Sequence, residues 1–293
     1  MADAVPLRQP RPGQELIEER ETPYNYIQIA REGGMVKMEV DQGWFTYSKY
    51  RPGELRTFSY RDYFPLAVLV SGAEDFPRSV CILGLASGAD ARVIRSAFPG
   101  AHITGVEIDP EIIELGAEHM GLENARVDRT VIADGRAFLR ADPRSYDLII
   151  VDVYNQAYIP FHMATREFFE LASRRLAPGG VIAMNVAWRS RDEWKLPRTI
   201  ANTLKEVFPS VYVQMFARKT NTLLYAANRK VEPEEVRAAM RNPGNEYVRE
   251  LLDEELAVFR PHQGEGEVFT DDRAPVELYT DFTIDSFFNM RND

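Results

Sequence analysis

The stretch Val80-Cys81-Ile82-Leu83-Gly84-Leu85-Ala86-Ser87-Gly88 decides how this chain folds. Four apolar residues predict a buried strand, the small residues after them a tight turn, and Ala89–Ala97 a helix. At such a turn the backbone can approach a ligand closely, and the helix start offers free amide groups. Ala86 stands where glycine is frequent, so the turn falls short of a full G-x-G-x-x-G. Taken alone, it reads equally as a strand–helix corner with no ligand. Cys81, the only cysteine, suits a small core position and rules out an intrachain disulfide.

Outward from this turn, apolar strands alternate with helical stretches. Strands are predicted at Val80–Leu83, His102–Glu107, Arg126–Ile132, Leu148–Asp152, Val181–Val186, Val211–Phe216 and Leu223–Ala227. Helices are predicted at Ala89–Ala97, Pro110–His119, Gly135–Leu139 and Thr165–Leu176, the last stopped by Pro178-Gly179-Gly180. Such alternation implies a mainly parallel sheet with helices on both faces. The last two strands are joined by only Ala217–Thr222, too short for a parallel crossover, so they form an antiparallel hairpin at the end of the sheet. That hairpin marks a methyltransferase-type Rossmann sheet rather than a dehydrogenase type.

Before the turn the period changes to two. Ile27 and Ile29, then Val36, Met38 and Val40, flank Gly33-Gly34 and predict a hairpin. Trp44-Phe45-Thr46-Tyr47 adds a third strand, and Thr57–Val70 a linking helix. The expected organisation is a flexible arm over 1–20, an N-terminal β domain with its helix over 21–72, and a Rossmann-like domain over 73–293. The last carries a C-terminal helical extension, Pro233–Met240 and Glu246–Val258. Trp44, Phe45 and Tyr47 either cover the chain's own Rossmann domain or face a partner in a homodimer or homotetramer.

Polar residues gather where strands end. Glu107 closes the second strand of the sheet about twenty residues past the glycines, placed to accept hydrogen bonds from a ribose diol. Asp109 precedes Pro110 and reads as a helix N-cap. Asp134, followed by Gly135, closes the third strand and can face an adenine amino group. Asp152 closes the fourth. Carboxyl ends of parallel strands are where open α/β sheets bind ligands, so the convergence predicts a nucleoside site.

Composition narrows the partners. The formal charge of −10 repels phosphate backbones, so no nucleic acid is expected. No apolar run is long enough to span a bilayer, and residues 1–14 lack a signal core, so a cytoplasmic chain without a membrane partner is expected. The four histidines show no ligand spacing, and no metal is expected.

The ordered set of these segments resembles the spermidine synthase family, in particular its divergent spermidine synthase-like branch, over about Glu21 to Leu278. The resemblance rests on Thr22-Pro23-Tyr24-Asn25, Phe58-Ser59-Tyr60-Arg61-Asp62, Gly84–Gly88, Val106–Pro110 and Asp134-Gly135-Arg136-Ala137-Phe138. It continues through Tyr146–Asp152, Leu176–Gly180 and Thr270-Asp271-Asp272-Arg273-Ala274-Pro275-Val276-Glu277. It implies a sulfonium donor, S-adenosylmethionine or its decarboxylated form, held along Gly84, Ala86, Ser87, Gly88, Glu107, Asp134 and Gly135. It also implies a small acceptor such as a polyamine, with Asp152 and Tyr60 at the reaction centre and Asn25 and Asn155 toward the acceptor. Tyr154 and His162, on the loop after Asp152, are further acceptor-side candidates.

The departures from the family pattern bear on substrate. Ser87 stands where the family has an aspartate for the aminopropyl ammonium, and Asn155 replaces the second aspartate of its Asp-Ser-Ser-Asp-Pro loop. Asn25 takes the place of a glutamine. Buried ammonium groups need anionic partners, so Ser87 predicts that intact S-adenosylmethionine binds at least as well as the decarboxylated form. Three functions remain open: a spermidine synthase-like alkyl transferase, a small-molecule methyltransferase, and a non-catalytic nucleotide-binding or assembly protein.

Overall fold

The computed structural model describes residues 9–40, 45–73, 75–187, 194–216, 221–254 and 258–281. Four antiparallel strands open the chain: β1 (Glu15–Glu21), β2 (Tyr26–Glu32), β3 (Met35–Val40) and β4 (Phe45–Tyr50). The β2–β3 turn is Gly33-Gly34, both at positive φ, which the tight two-residue hairpin requires. Ile27, Ile29, Met38 and Val40 point inward, as the period-two pattern predicts, and pack on Ile112, Leu115 and Met120. From Glu15 onward the expected arm over 1–20 is instead β1, which pairs with β2. Its sequence ELIEERE hides it: an edge strand is held by backbone bonds and has little apolar period to read. Phe45 and Tyr47 pack against that same cluster, so they cover the chain's own larger domain; Trp44 lies outside the described residues.

A 3-10 helix, Tyr60–Leu69, leads into the second sheet. Its elements are β5 (Ser79–Leu83), α1 (Ala89–Ala97), β6 (His102–Glu107), α2 (Pro110–His119), β7 (Arg129–Ile132), α3 (Gly135–Ala141) and β8 (Tyr146–Val151). Then come α4 (Arg166–Arg175), β9 (Leu176–Ala187), α5 (Lys195–Val207), β10 (Ser210–Met215), β11 (Asn221–Ala227), α6 (Pro233–Arg241), α7 (Glu246–Glu254) and β12 (Val258–Pro261). The order is β12-β10-β11-β9-β8-β5-β6-β7. Strands β5 to β9 run parallel, and β11 enters antiparallel between β9 and β10. This is the methyltransferase-type sheet, with one difference at its end. The hairpin is not the edge, because β12 adds to β10. Val258, expected at the end of a helix, therefore begins a strand.

Alternation along β5 divides the core. Val80 and Ile82 face a cluster under the 3-10 helix, α1, α6 and α7; Cys81 and Leu83 face one under α3, α4 and α5. Among the described residues, no helix is long and apolar enough to cross a membrane. The chain leaves β5 toward β6 in one direction and returns to β8 on its other side. Ligand crevices in open α/β sheets form at that switch point.

Candidate active site

A cleft of about 1230 Å³ opens at the carboxyl ends of β5, β6, β7 and β8, roofed by the N-terminal sheet. Gly84, Ala86, Glu107, Asp134, Gly135 and Asp152 line it, as do Asn25, Tyr60, Tyr154, Asn155 and His162. Residues predicted from four separate strand ends and from the β domain thus share one cleft. Gly84 sits at φ +87°, and a Cβ there would fall 2.3 Å from the Asp152 carbonyl oxygen. Only glycine allows the β5 and β8 tips to approach so closely.

Ser87 and Gly88 are placed elsewhere. Ser87 is fully buried and packs on Gly116 of α2, and Gly88 sits over Leu122 and Ala125. Positive φ at Ala86 and Gly88 reverses the backbone on both sides of Ser87, whose buried hydroxyl makes no hydrogen bond among the described residues. Ser87 and Gly88 do not line the cleft. The carboxylate that the turn does bring to the cleft is Asp90, on the first turn of α1.

At one end of the cleft, Glu107 accepts from the amides of Ala86 (2.9 Å), Ile108 (2.9 Å) and Asp109 (3.2 Å). Burial raises its pKa, and the amide bonds hold it partly in check. Asp109 caps α2 by accepting from Glu111 N–H, and it also takes the Thr22 hydroxyl (2.7 Å), as its N-cap reading requires. Asp134 caps α3 through the Ala137 amide (2.8 Å), and its second oxygen lies 3.0 Å from His162 Nε2. That contact lowers the Asp134 pKa. His162 thus stands at the Asp134 end of the cleft and not beside Asp152. Arg136 holds its carbonyl (3.0 Å) while forming a bidentate pair with Asp271 (2.7 and 2.6 Å). The Asp271 segment near the chain's end is therefore a clamp on this loop.

At the other end, Tyr60 donates to Asp152 (2.9 Å to Oδ2, 3.1 Å to Oδ1), and Asn185 Nδ2 donates to Oδ1 (2.8 Å). Asn221 in turn donates to Asn185 Oδ1 (2.9 Å). Burial pushes the Tyr60 phenol well above its usual pKa, so it remains a donor. Arg61 lies 3.5 Å from Asp152 Oδ2 and 3.3 Å from Asp90 Oδ1, with its face on the Tyr60 ring. Burial alone would lower the Arg61 pKa, but the surrounding tyrosine and carboxylates outweigh it. Tyr154 is anchored away from the opening: its hydroxyl donates to the Asn185 carbonyl (3.2 Å) and accepts from Ala187 N–H (2.9 Å). The Tyr47 hydroxyl fixes the same loop, lying 2.9 Å from the Tyr154 carbonyl and accepting from Gln156 N–H (2.8 Å). It also lies 3.2 Å from Asn25 Oδ1.

Sequence reading missed Asp90, Arg61, Asn185 and Tyr47 as members of this site. Asn185 had a signal, a lone polar residue inside the apolar run Val181–Val186. Asp90 had only its place on the first helical turn after the glycines. Outside the cleft, Glu18, Glu118 and His119 come close together. Arg20 already pairs with Glu18 (2.5 Å) and approaches Glu118 (3.9 Å).

Known proteins share this fold. The probable polyamine aminopropyl transferase of Bifidobacterium longum is 28% identical over 289 residues, covering 92% of this chain and 63% of that protein. The chain spans less than two thirds of the length of the curated relatives first matched. A probable spermidine synthase structure from Corynebacterium glutamicum superposes with a TM-score of 0.68 at 21% identity, over 91% of this chain and 97% of that one. Human methyltransferase-like protein 13, solved in complex with SAH, gives 0.54 at 23% identity, over 67% of this chain and 93% of that one. These two share the fold. The spermine/spermidine synthase domain model matches residues 65–226, more than half of the chain and nearly all of the sheet that builds the cleft, and the chain belongs to that family.

Proposed function

We propose that this protein transfers an alkyl group, aminopropyl in the reading the site favours, from a sulfonium nucleoside to an amine. The observation that carries the reading is the division of labour in one cleft. Glu107 and Asp134 stand where a nucleoside would be held, and Asp152 with Tyr60 stands at the other end. In the reaction, the amine lone pair attacks the carbon bound to sulfur. The C–S bond breaks, and its electron pair stays on sulfur as a neutral thioether. The leaving group needs no acid, so the chain's task is alignment and proton removal. An alkylammonium has a pKa of about 10.4, and Asp152 is placed to accept the proton that the attacking nitrogen must lose.

Decarboxylated S-adenosylmethionine is the proposed donor and a polyamine the proposed acceptor, in keeping with the name of the Bifidobacterium relative. Methyl transfer from intact S-adenosylmethionine is the second reading, because Ser87 and Asn155 stand where the family pattern has aspartates. Mass analysis of reactions containing either donor and a panel of amines separates the two. Aminopropylated amine with methylthioadenosine is the expected outcome. S-adenosylhomocysteine with methylated amine assigns the second reading, and failure to bind either donor overturns both.

A further inference from the structure

Asp90 is the cleft residue hardest to explain as scaffold. Its side chain is 3% exposed, and Oδ1 makes no hydrogen bond among the described residues; its contact there is the 3.3 Å ion pair with Arg61 Nε. A solvent-facing first-turn aspartate stabilises a helix cheaply; a buried one with an unsatisfied oxygen does not. The same guanidinium lies 3.5 Å from Asp152 Oδ2, so Arg61 touches both carboxylates. Two carboxylates crowded about one buried guanidinium resist ionising together. Tyr60 and Arg61 from the 3-10 helix, Asp152 and Tyr154 after β8, and Arg92 on α1 itself are the charged and titratable groups around the pair. Arg92 spends its guanidinium on the carbonyls of Ser87, Met120 and Lys49. Arg92 acts on Asp90 through its charge alone, and Arg61 is the cation in ion-pair contact with both carboxylates.

We propose that Asp90 is an ammonium-binding residue of the cleft, and that a cationic amine binds there by displacing a proton that Asp90 holds. The balance is simple. The amine arrives as R-NH3⁺, the proton on Asp90 leaves to solvent, and the net charge of the corner is unchanged. Burial raises the Asp90 pKa, and the neighbouring Asp152 raises it further, in keeping with a retained proton. The inference rests on the proposed nucleoside-and-amine reading of the same cleft.

The test is calorimetry at mildly acidic pH in buffers of different ionisation enthalpy, using decarboxylated S-adenosylmethionine, putrescine added to the methylthioadenosine complex, and methylthioadenosine alone. Wild-type protein should release up to about one proton per amine bound and none with methylthioadenosine. Asp90→Asn should abolish that release and weaken amine binding by roughly ten- to a hundredfold, the loss of a charge-assisted contact. Methylthioadenosine affinity should be unchanged, which also shows that the variant folds. Amine binding without proton release in the wild type overturns the proposal whether or not the variant folds. So does Asp90→Asn with unaltered amine affinity, or methylthioadenosine binding with neither amine taken up. Failure of methylthioadenosine itself to bind wild-type protein strikes instead at the nucleoside reading on which the inference rests.

Discussion

Asp152 draws hydrogen bonds from Tyr60 and Asn185, so its carboxylate is held in place while remaining open to a donor on the cleft side. Asp152→Asn keeps the shape and removes the proton acceptor. Turnover should fall by roughly 10²- to 10⁴-fold, while methylthioadenosine affinity measured by calorimetry stays put. Glu107 behaves differently, because its oxygens already serve three amides and a ribose would use the acceptor site that remains on Oε2. Glu107→Ala should weaken nucleoside binding by about 1–3 kcal/mol; unaltered affinity in a folded variant removes Glu107 from the site. A third expectation concerns pH. Burial holds the Asp90 and Glu107 values above those of the unfolded chain, so the native state binds protons more tightly. Their stabilising effect is complete below the unfolded value of about 4 and is lost as pH rises through the raised values. Asp90→Asn should therefore flatten the pH dependence of thermal unfolding and gain on wild type toward neutral pH. An unchanged profile would show that Asp90 carries no retained proton.

At the scale of elements, the β5–α1 turn does two jobs through one backbone path. It brings the β5 tip against the Asp152 carbonyl, and it swings Ser87 away and Asp90 in. Gly84→Ala puts a Cβ into that carbonyl at a positive-φ position. Destabilisation of about 1–3 kcal/mol is expected from the overlap and the backbone strain, together with loss of nucleoside binding, read by thermal unfolding with and without methylthioadenosine. A variant that unfolds and binds like wild type would mean that the β5–β8 approach is slack. The loop after β8 is fixed from above by Tyr47 and from the side by Arg136 and the Asp271 segment, so three separate elements set its position.

Across the whole molecule, the small sheet is joined to the large one by contacts of unequal worth. Asp109 is buried, caps α2 and accepts the Thr22 hydroxyl. Arg20 pairs with Glu111 (2.6 Å) and Glu114 (3.0 Å) in more open surroundings. Asp109→Ala should cost about 1–2 kcal/mol for the cap alone, whereas Arg20→Ala should cost under about 1 kcal/mol and less still at high salt. Denaturant unfolding of both variants, with and without added salt, checks the ranking, and the reverse order would place the joint in the surface ion pairs.

Local signals determined much of this protein. Alternating periods of two and 3.6, with glycines at the corners, laid out both sheets. Glu107, Asp134 and Asp152 were legible because the carboxyl end of a parallel strand is a fixed place in such a fold. Two strands escaped, β1 and β12, since an edge strand is recruited by a neighbour's backbone and needs no apolar pattern of its own. Side-chain direction at the turn escaped as well. Ser87 and Asp90 are three residues apart, and only the positive-φ backbone at Ala86 and Gly88 decides which of them meets the cleft. Arg61, Asn185 and Tyr47 come from distant parts of the chain and become neighbours of Asp152 and its loop through long-range packing. Whether a carboxylate keeps its proton depends on that packing, because desolvation and nearby charge are properties of the assembled cleft and not of any segment.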